Sequence, residues 1–371
     1  MDFTPLKSFM QHMLDLKIPG NAVSVWKDGK EIFSHAAGCA DRETGEPMTA
    51  DHLLNLYSSS KVATVTAALQ LYEQGVFRLD DPVSAFLPEW GDLCVRTEHG
   101  IETAKETMTI RHLFTMTSGL NYNVDIPAFK GRQTDTRSVI RELAKEPLDF
   151  EPGAKWQYSL SHDVLACVVE AASGMRFADY MQAHLFAPAG MTEAYYDRTS
   201  ILDRMAQQYR MITPNLGDLV DAQAYGHEIL HPDTRVEVEG KGNWLVPGPD
   251  YDSGGAGIIT SVAQYAKFCS ALLQGKLLKQ ETMALMCTNQ LTPRQARTYD
   301  WPHHAGYNYG LGVRISTGDH PGEFGWGGAA GSKVYLDPTE GVSMFYAHHM
   351  LNPQPAYYMP LLKQALYESL K

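Results

Sequence analysis

The sequence predicts an α+β fold: an antiparallel sheet flanked by helices, with a helical lobe inserted between its two halves. Two observations carry the prediction. Strand-like runs stand at both ends of the chain, and helical periodicity fills the segment between them. Distant strand groups of this kind close into one sheet when the chain ends meet.

The elements follow in order. Residues 7–16 have helical spacing. Two strands are expected at 22–26 and 31–36, joined by Lys27-Asp28-Gly29-Lys30, whose Asp-Gly pair is a strong hairpin signal. A long amphipathic helix is expected from about Ser59 to Gly75, with Val62, Val65, Leu69 and Tyr72 spaced by three or four residues. Further helices are expected at 111–116, 137–144, 163–172, 177–185 and 262–273, and 213–257 reads as irregular, being rich in Gly, Pro and Asp. Strands return at 307–315, 332–336 and 342–348, and a helix closes the chain at about 356–370. The predicted organisation is one domain over 1–371. Its α/β lobe comes from about 1–50 and 301–371, and its helical lobe from about 51–300.

Composition narrows the function classes. With 371 residues, 44% hydrophobic and 10% aromatic, the chain has the make-up of a globular enzyme with a sizeable core. Asp plus Glu number 43 against 31 Lys plus Arg, a net charge of -12 that argues against nucleic acid and anionic membranes as partners. The start, Met1-Asp2-Phe3-Thr4-Pro5, has no leader pattern, and no run reaches the roughly 18 apolar residues of a membrane span. Five widely spaced cysteines read as reduced core thiols, so a cytoplasmic location is expected. Nothing in the composition fixes an oligomeric state.

The chemistry is concentrated at Ser58-Ser59-Ser60-Lys61. On a helix, positions i and i+3 share a face, which sets the Ser58 hydroxyl beside the Lys61 amine. A serine needs an adjacent base to act as a nucleophile, and desolvation of a buried lysine favours the neutral amine that can serve. The helix N-terminus adds backbone N–H groups for a developing oxyanion. A Ser-x-x-Lys motif arises about once by chance in a chain of this size, and a second copy occurs at Ser24-Val25-Trp26-Lys27. That copy lies in a strand, where i and i+3 face opposite sides, so it is set aside.

Two further segments complete a serine site. Tyr158, ahead of the helix near Asp163, is a candidate proton shuttle. The run Phe324-Gly325-Trp326-Gly327-Gly328-Ala329-Ala330-Gly331 lets backbone approach a ligand closely. A rival motif, His227-Glu228-Ile229-Leu230-His231, matches a zinc-hydrolase pattern. It is flanked by Gly226 and Pro232, which oppose the continuous helix that such a site needs, and it reads as a chance match in a loop. No metal or cofactor is called for.

Taken together, Ser58-x-x-Lys61, Tyr158-Ser159-Leu160 and Trp326-Gly327-Gly328 resemble the serine β-lactamase and penicillin-binding-protein superfamily. The segments 74–83, 108–120, Phe150-Glu151-Pro152-Gly153 and Ser253-Gly254-Gly255-Ala256-Gly257 extend the resemblance over most of the chain. The superfamily usually carries Tyr-x-Asn where this chain has Leu160, and a Lys- or His-Thr-Gly where it has Trp326. Both departures resemble the family VIII carboxylesterases. Two polar readers of a charged amide substrate have become apolar, which suits a neutral ester.

The resemblance therefore implies a β-lactamase/transpeptidase-like fold and an acyl-enzyme on Ser58. It implies Lys61 and Tyr158 as shared base, the N–H groups of Ser58 and Ala329 as oxyanion hole, and a pocket including Leu160, Trp326, Gly327 and Gly328. The expected substrate is a small-molecule ester or amide. A β-lactamase, a D-alanyl carboxypeptidase, an acyltransferase and an inactive binding protein on the same scaffold stand as alternatives.

Overall fold

The hairpin predicted by Asp28-Gly29 is present. Strands β1 (Gly20–Lys27) and β2 (Lys30–Asp41) pair antiparallel with Lys27 opposite Lys30. Both loop residues have positive φ, 50° at Asp28 and 79° at Gly29, the twist that matches two antiparallel strands. The structure, a computed structural model, describes residues 1–122, 126, 129, 134–212, 234–301, 304–352 and 354–371.

The chain ends build one sheet. After β3 (Glu46–Pro47), its strands are β4 (Tyr307–Tyr309), β5 (Arg314–Ser316), β6 (Phe324–Gly325), β7 (Lys333–Asp337) and β8 (Val342–Ala347). The order is β4-β5-β6-β7-β8-β1-β2-β3, and the last C-terminal strand lies against the first N-terminal one, with Val23 opposite Tyr346. The expected strand at 307–315 is two strands. Gly310-Leu311-Gly312 turns the chain back on itself, with Gly312 at φ 81° and a Cβ on Gly310 only 2.1 Å from the Met286 carbonyl oxygen.

Helices cover both faces of the sheet. On one side lie α1 (Thr4–Asp15) and the closing α5 (Pro355–Leu370), burying Phe9, Met10, Tyr358 and Leu362 against Val23, Tyr335 and Tyr346. On the other side the middle segment supplies α2 (Ser60–Glu73), α3 (Ser161–Ser173) and α4 (Val262–Leu273), which share a core with Ala22, Val334, Leu336 and Phe345. Adjacent residues of β7 thus enter opposite cores, as the period of two requires. Shorter helices at Ile110–Phe114, Thr136–Leu143 and Phe177–Met181 match the expected positions.

Two further details differ from the sequence reading. The middle segment is mainly helical yet carries short strands, including Cys94–Thr97 with Gly100–Thr103 and Gln208–Ile212 with Arg235–Gly240. Helix α2 is also not amphipathic: Ser60 to Leu69 are all buried, so its polar residues face other protein. Among the described residues no helix is long and apolar enough to cross a membrane.

Candidate active site

A strained residue sets up the nucleophile. Tyr57 has φ 48°, a costly value for a side chain of that size, and it is fully buried with its hydroxyl accepting from Gln208 Nε2 at 3.1 Å. The chain then makes a short 3₁₀ turn, Tyr57–Ser59, and enters α2. This places Ser58 at the helix start with 7% of its surface exposed. Its two neighbours are committed elsewhere. Ser59 Oγ shares a hydrogen bond with Ser332 Oγ at 2.8 Å, and Ser60 Oγ accepts from the Ile258 N–H at 3.1 Å.

Lys61 lies one turn on, fully buried. Its amine donates to Ser58 Oγ at 3.2 Å, to the Tyr122 hydroxyl at 2.9 Å and to the Gly255 carbonyl at 2.7 Å. Three polar partners surround the amine, which is what makes complete burial tolerable. Asp163 on α3 adds a buried negative partner nearby, held by the hydroxyls of Ser253 at 2.6 Å and Tyr251 at 3.1 Å. Burial pushes its carboxyl up, against the pull of Lys61 and these hydrogen bonds. The adjacent His162 is pushed down to about 3, first by burial and then by the Lys61 charge, and is a neutral core residue.

The glycines of 253–257 are there for closeness. A Cβ on Gly255 would stand 2.4 Å from Asp163 Oδ2 and 3.2 Å from Lys61 Nζ, and one on Gly254 would stand 2.3 Å from the His162 carbonyl oxygen. No larger residue fits between the lysine and the aspartate.

Ser58 opens on a cavity of about 230 Å³. One wall is aromatic: Tyr158, Trp301, His304 and Trp326. Trp326 Nε1 donates to the Tyr158 hydroxyl at 3.2 Å, and the Tyr158 ring lies 4.8 Å from Lys61 Nζ, centroid to cation. Gly327, Gly328 and Ala329 form a second wall. Gly328 admits no Cβ, which would come within 2.2 Å of the Leu56 carbonyl oxygen, so this hairpin reaches the nucleophile turn. Ser332 Oγ completes the tie by donating to the same carbonyl at 3.0 Å.

The structure thus brings Ser58, Lys61, Tyr158, Trp326, Gly327, Gly328 and Ala329 together. Leu160 is a correction. It caps α3 with 2% exposure, packs into the core, and is not among the described residues lining the cavity. The motif residues 227–231 lie outside the described residues.

Several neighbours escaped the sequence reading, Trp301 and His304 of the aromatic wall among them. Tyr122, which accepts from Lys61, follows Gly119-Leu120-Asn121 and carries no spacing that sets it apart from the other tyrosines, 19 in all. Burial raises its phenol well above the ordinary value, with Tyr158 and Asp163 adding to the effect. Lys333 also lines the cavity. A lysine within the apolar run 332–336 was the available signal, because such a side chain is rarely buried.

Comparison with known proteins identifies the family. The Beta-lactamase family model matches residues 6–366. Esterase EstB of Burkholderia gladioli is 29% identical over 368 residues, 91% of this chain and 87% of that protein. Acyltransferase calJ of Penicillium decumbens is 27% identical over 359 residues, covering 86% of this chain and 81% of its own. Among solved structures, EstCE1, described as a hydrolase with promiscuous acyltransferase activity, superposes with a TM-score of 0.79 at 24% identity, over 98% of this chain and 97% of its own. On the strength of the match across nearly its whole length, the chain belongs to the Beta-lactamase family.

Proposed function

We propose that the chain is a serine hydrolase that cleaves carboxylic esters through an acyl-enzyme on Ser58. The observation that carries this reading is the Lys61 amine 3.2 Å from a Ser58 hydroxyl that itself opens on an aromatic-walled cavity. Ser58 Oγ bonds to the ester carbonyl carbon and passes its proton to the Lys61 and Tyr158 pair. The N–H groups of Ser58 and Ala329 hold the oxyanion, and the pair returns the proton to the departing alcohol as the ester C–O bond breaks. Water then adds to the acyl carbon, the acid leaves, and Ser58 regains its proton. An alcohol in place of that water gives acyl transfer. The names of EstB and calJ support this pair of outcomes. The five free thiols support the cytoplasmic reading.

Trp326 separates the esterase from its lactamase and carboxypeptidase alternatives. A cation at its position would stabilise a substrate carboxylate by about 1.5–3 kcal/mol, and an indole supplies none. The kcat/KM for short neutral p-nitrophenyl esters is therefore expected to exceed that for a chromogenic cephalosporin by about ten- to a hundredfold or more. Equal rates would favour the lactamase, and no turnover of any ester, amide or lactam would favour the binding protein.

Gly255 offers a second check. Gly255→Ala is expected to lower kcat on the order of tenfold to a hundredfold, since its methyl group must displace Lys61 or Asp163. Steady-state kinetics beside a melting curve checks this. An unchanged kcat would mean that the approach of Lys61 to Asp163 plays no part in turnover.

A further inference from the structure

Lys333 is the least explained charge near the site. It opens β7 with 1% exposure, and its neighbour across the strand pair is Gly327 of the cavity wall. A Cβ on Gly327 would touch this side chain, 3.4 Å from Lys333 Cδ and 3.7 Å from its Nζ, so the amine reaches the cavity alongside the bare backbone of Gly327. Among the described residues no carboxylate lies within 4.0 Å of it. The nearby carboxylate, Glu323, is already engaged by Lys363 at 2.8 Å and faced by Arg314 at 3.9 Å. The Lys333 amine lies over the face of Tyr335, 5.4 Å from the ring centroid.

Resting on the esterase reading, the geometry points to Lys333 as the residue that selects esters carrying a carboxylate, its amine receiving that group through the gap over Gly327. The place differs from that of Trp326, which lies on the aromatic wall beside Tyr158. The charge balance supports the assignment. Arg314 and Lys363 already face the one nearby carboxylate, Glu323, which leaves Lys333 without an anionic partner of its own for an incoming carboxylate to supply. Burial, with Arg314 adding to it, holds the Lys333 amine well below its usual range, and a bound carboxylate would restore its proton.

The test compares esters that differ in one carboxylate. Mono-p-nitrophenyl adipate and its longer homologues are set against p-nitrophenyl esters of monocarboxylic acids of equal length. 4-Carboxyphenyl butyrate against phenyl butyrate tests the alcohol side. In one of these sets the acid form is expected to have the higher kcat/KM, and Lys333→Met to lower the acid-to-neutral ratio by at least about tenfold. A purely structural lysine would lower both members alike and leave the ratio unchanged, as would one that merely stacks on Tyr335. Binding of monomethyl adipate to Ser58→Ala, measured by calorimetry, reads the same contact without turnover and is expected to weaken at least about tenfold when Lys333→Met is added. An unchanged ratio in both sets, or equal binding by the two proteins, overturns the assignment. Loss of all ester turnover with the binding difference intact would instead overturn the hydrolase reading alone.

Discussion

Ser58→Ala is expected to abolish ester hydrolysis, with kcat falling on the order of 10⁴-fold or more, as when the nucleophile is removed from other serine hydrolases. No neighbour can take its place. Ser59 is tied to Ser332, and Ser60 receives the Ile258 N–H. The second Ser-x-x-Lys copy is unavailable for a different reason. Ser24 lies on β1, where its hydroxyl donates to Glu31 at 2.7 Å and accepts from Trp26 at 2.9 Å, while Lys27 pairs with Glu340. A fluorophosphonate probe should therefore leave one adduct, on the peptide containing Ser58, and none in the variant. An adduct on Ser24, Ser59 or Ser60, seen by peptide mapping, would refute the assignment.

The second large effect belongs to Lys61. Lys61→Met is expected to cost about a hundredfold to 10⁴-fold in kcat, the range for general acid–base groups. It also leaves the Gly255 carbonyl and the Tyr122 hydroxyl without their donor, so a melting temperature several degrees lower should accompany the loss. Tyr158→Phe is expected to cost at least about a hundredfold while leaving the fold nearly unchanged, since the lost hydroxyl accepts from Trp326 Nε1 and meets the Tyr122 hydroxyl at the edge of the cavity, and the ring keeps its packing. The double variant should lose much less than the product of the two single losses, because groups that move one proton together act as a unit. Near-normal turnover by Tyr158→Phe would move the proton-shuttle role to another group, with Tyr122 next in line through its contact with Lys61.

The parts of this site that were legible in the sequence were those written as local spacing. Ser58 and Lys61 stand three residues apart at a helix start, and Asp28-Gly29 dictates a turn without help from the rest of the chain. Tyr158 and the glycine hairpin needed the resemblance as well, since a tyrosine or a glycine run has no spacing of its own. Contacts across distant elements were not legible. Tyr122 meets Lys61 across 61 residues and Gly255 meets it across 194, and nothing short of the folded chain relates those positions. The misreading of 307–315 has the same origin. Its run has the composition of one strand, and the turn at Gly310-Leu311-Gly312 passes so close to the distant Met286 and Val65 that neither glycine admits a Cβ. Leu160 sits at the right place in the chain, but the core claims its side chain before the cavity can.

The pairing of Val23 with Tyr346 sets a timetable for the molecule. A ribosome releases β1 and β2 early and β8 almost last. For roughly tens of seconds of synthesis the inner strand β1 therefore has an open edge, a surface prone to adhering to other nascent chains. The Ser58–Lys61 pair is made much sooner, from residues close together, yet the hairpin that walls it leads directly into the late strands. Enzyme activity should thus appear abruptly, only when β7 and β8 have left the exit tunnel, and a chain stopped short of them would carry an intact motif and no working site.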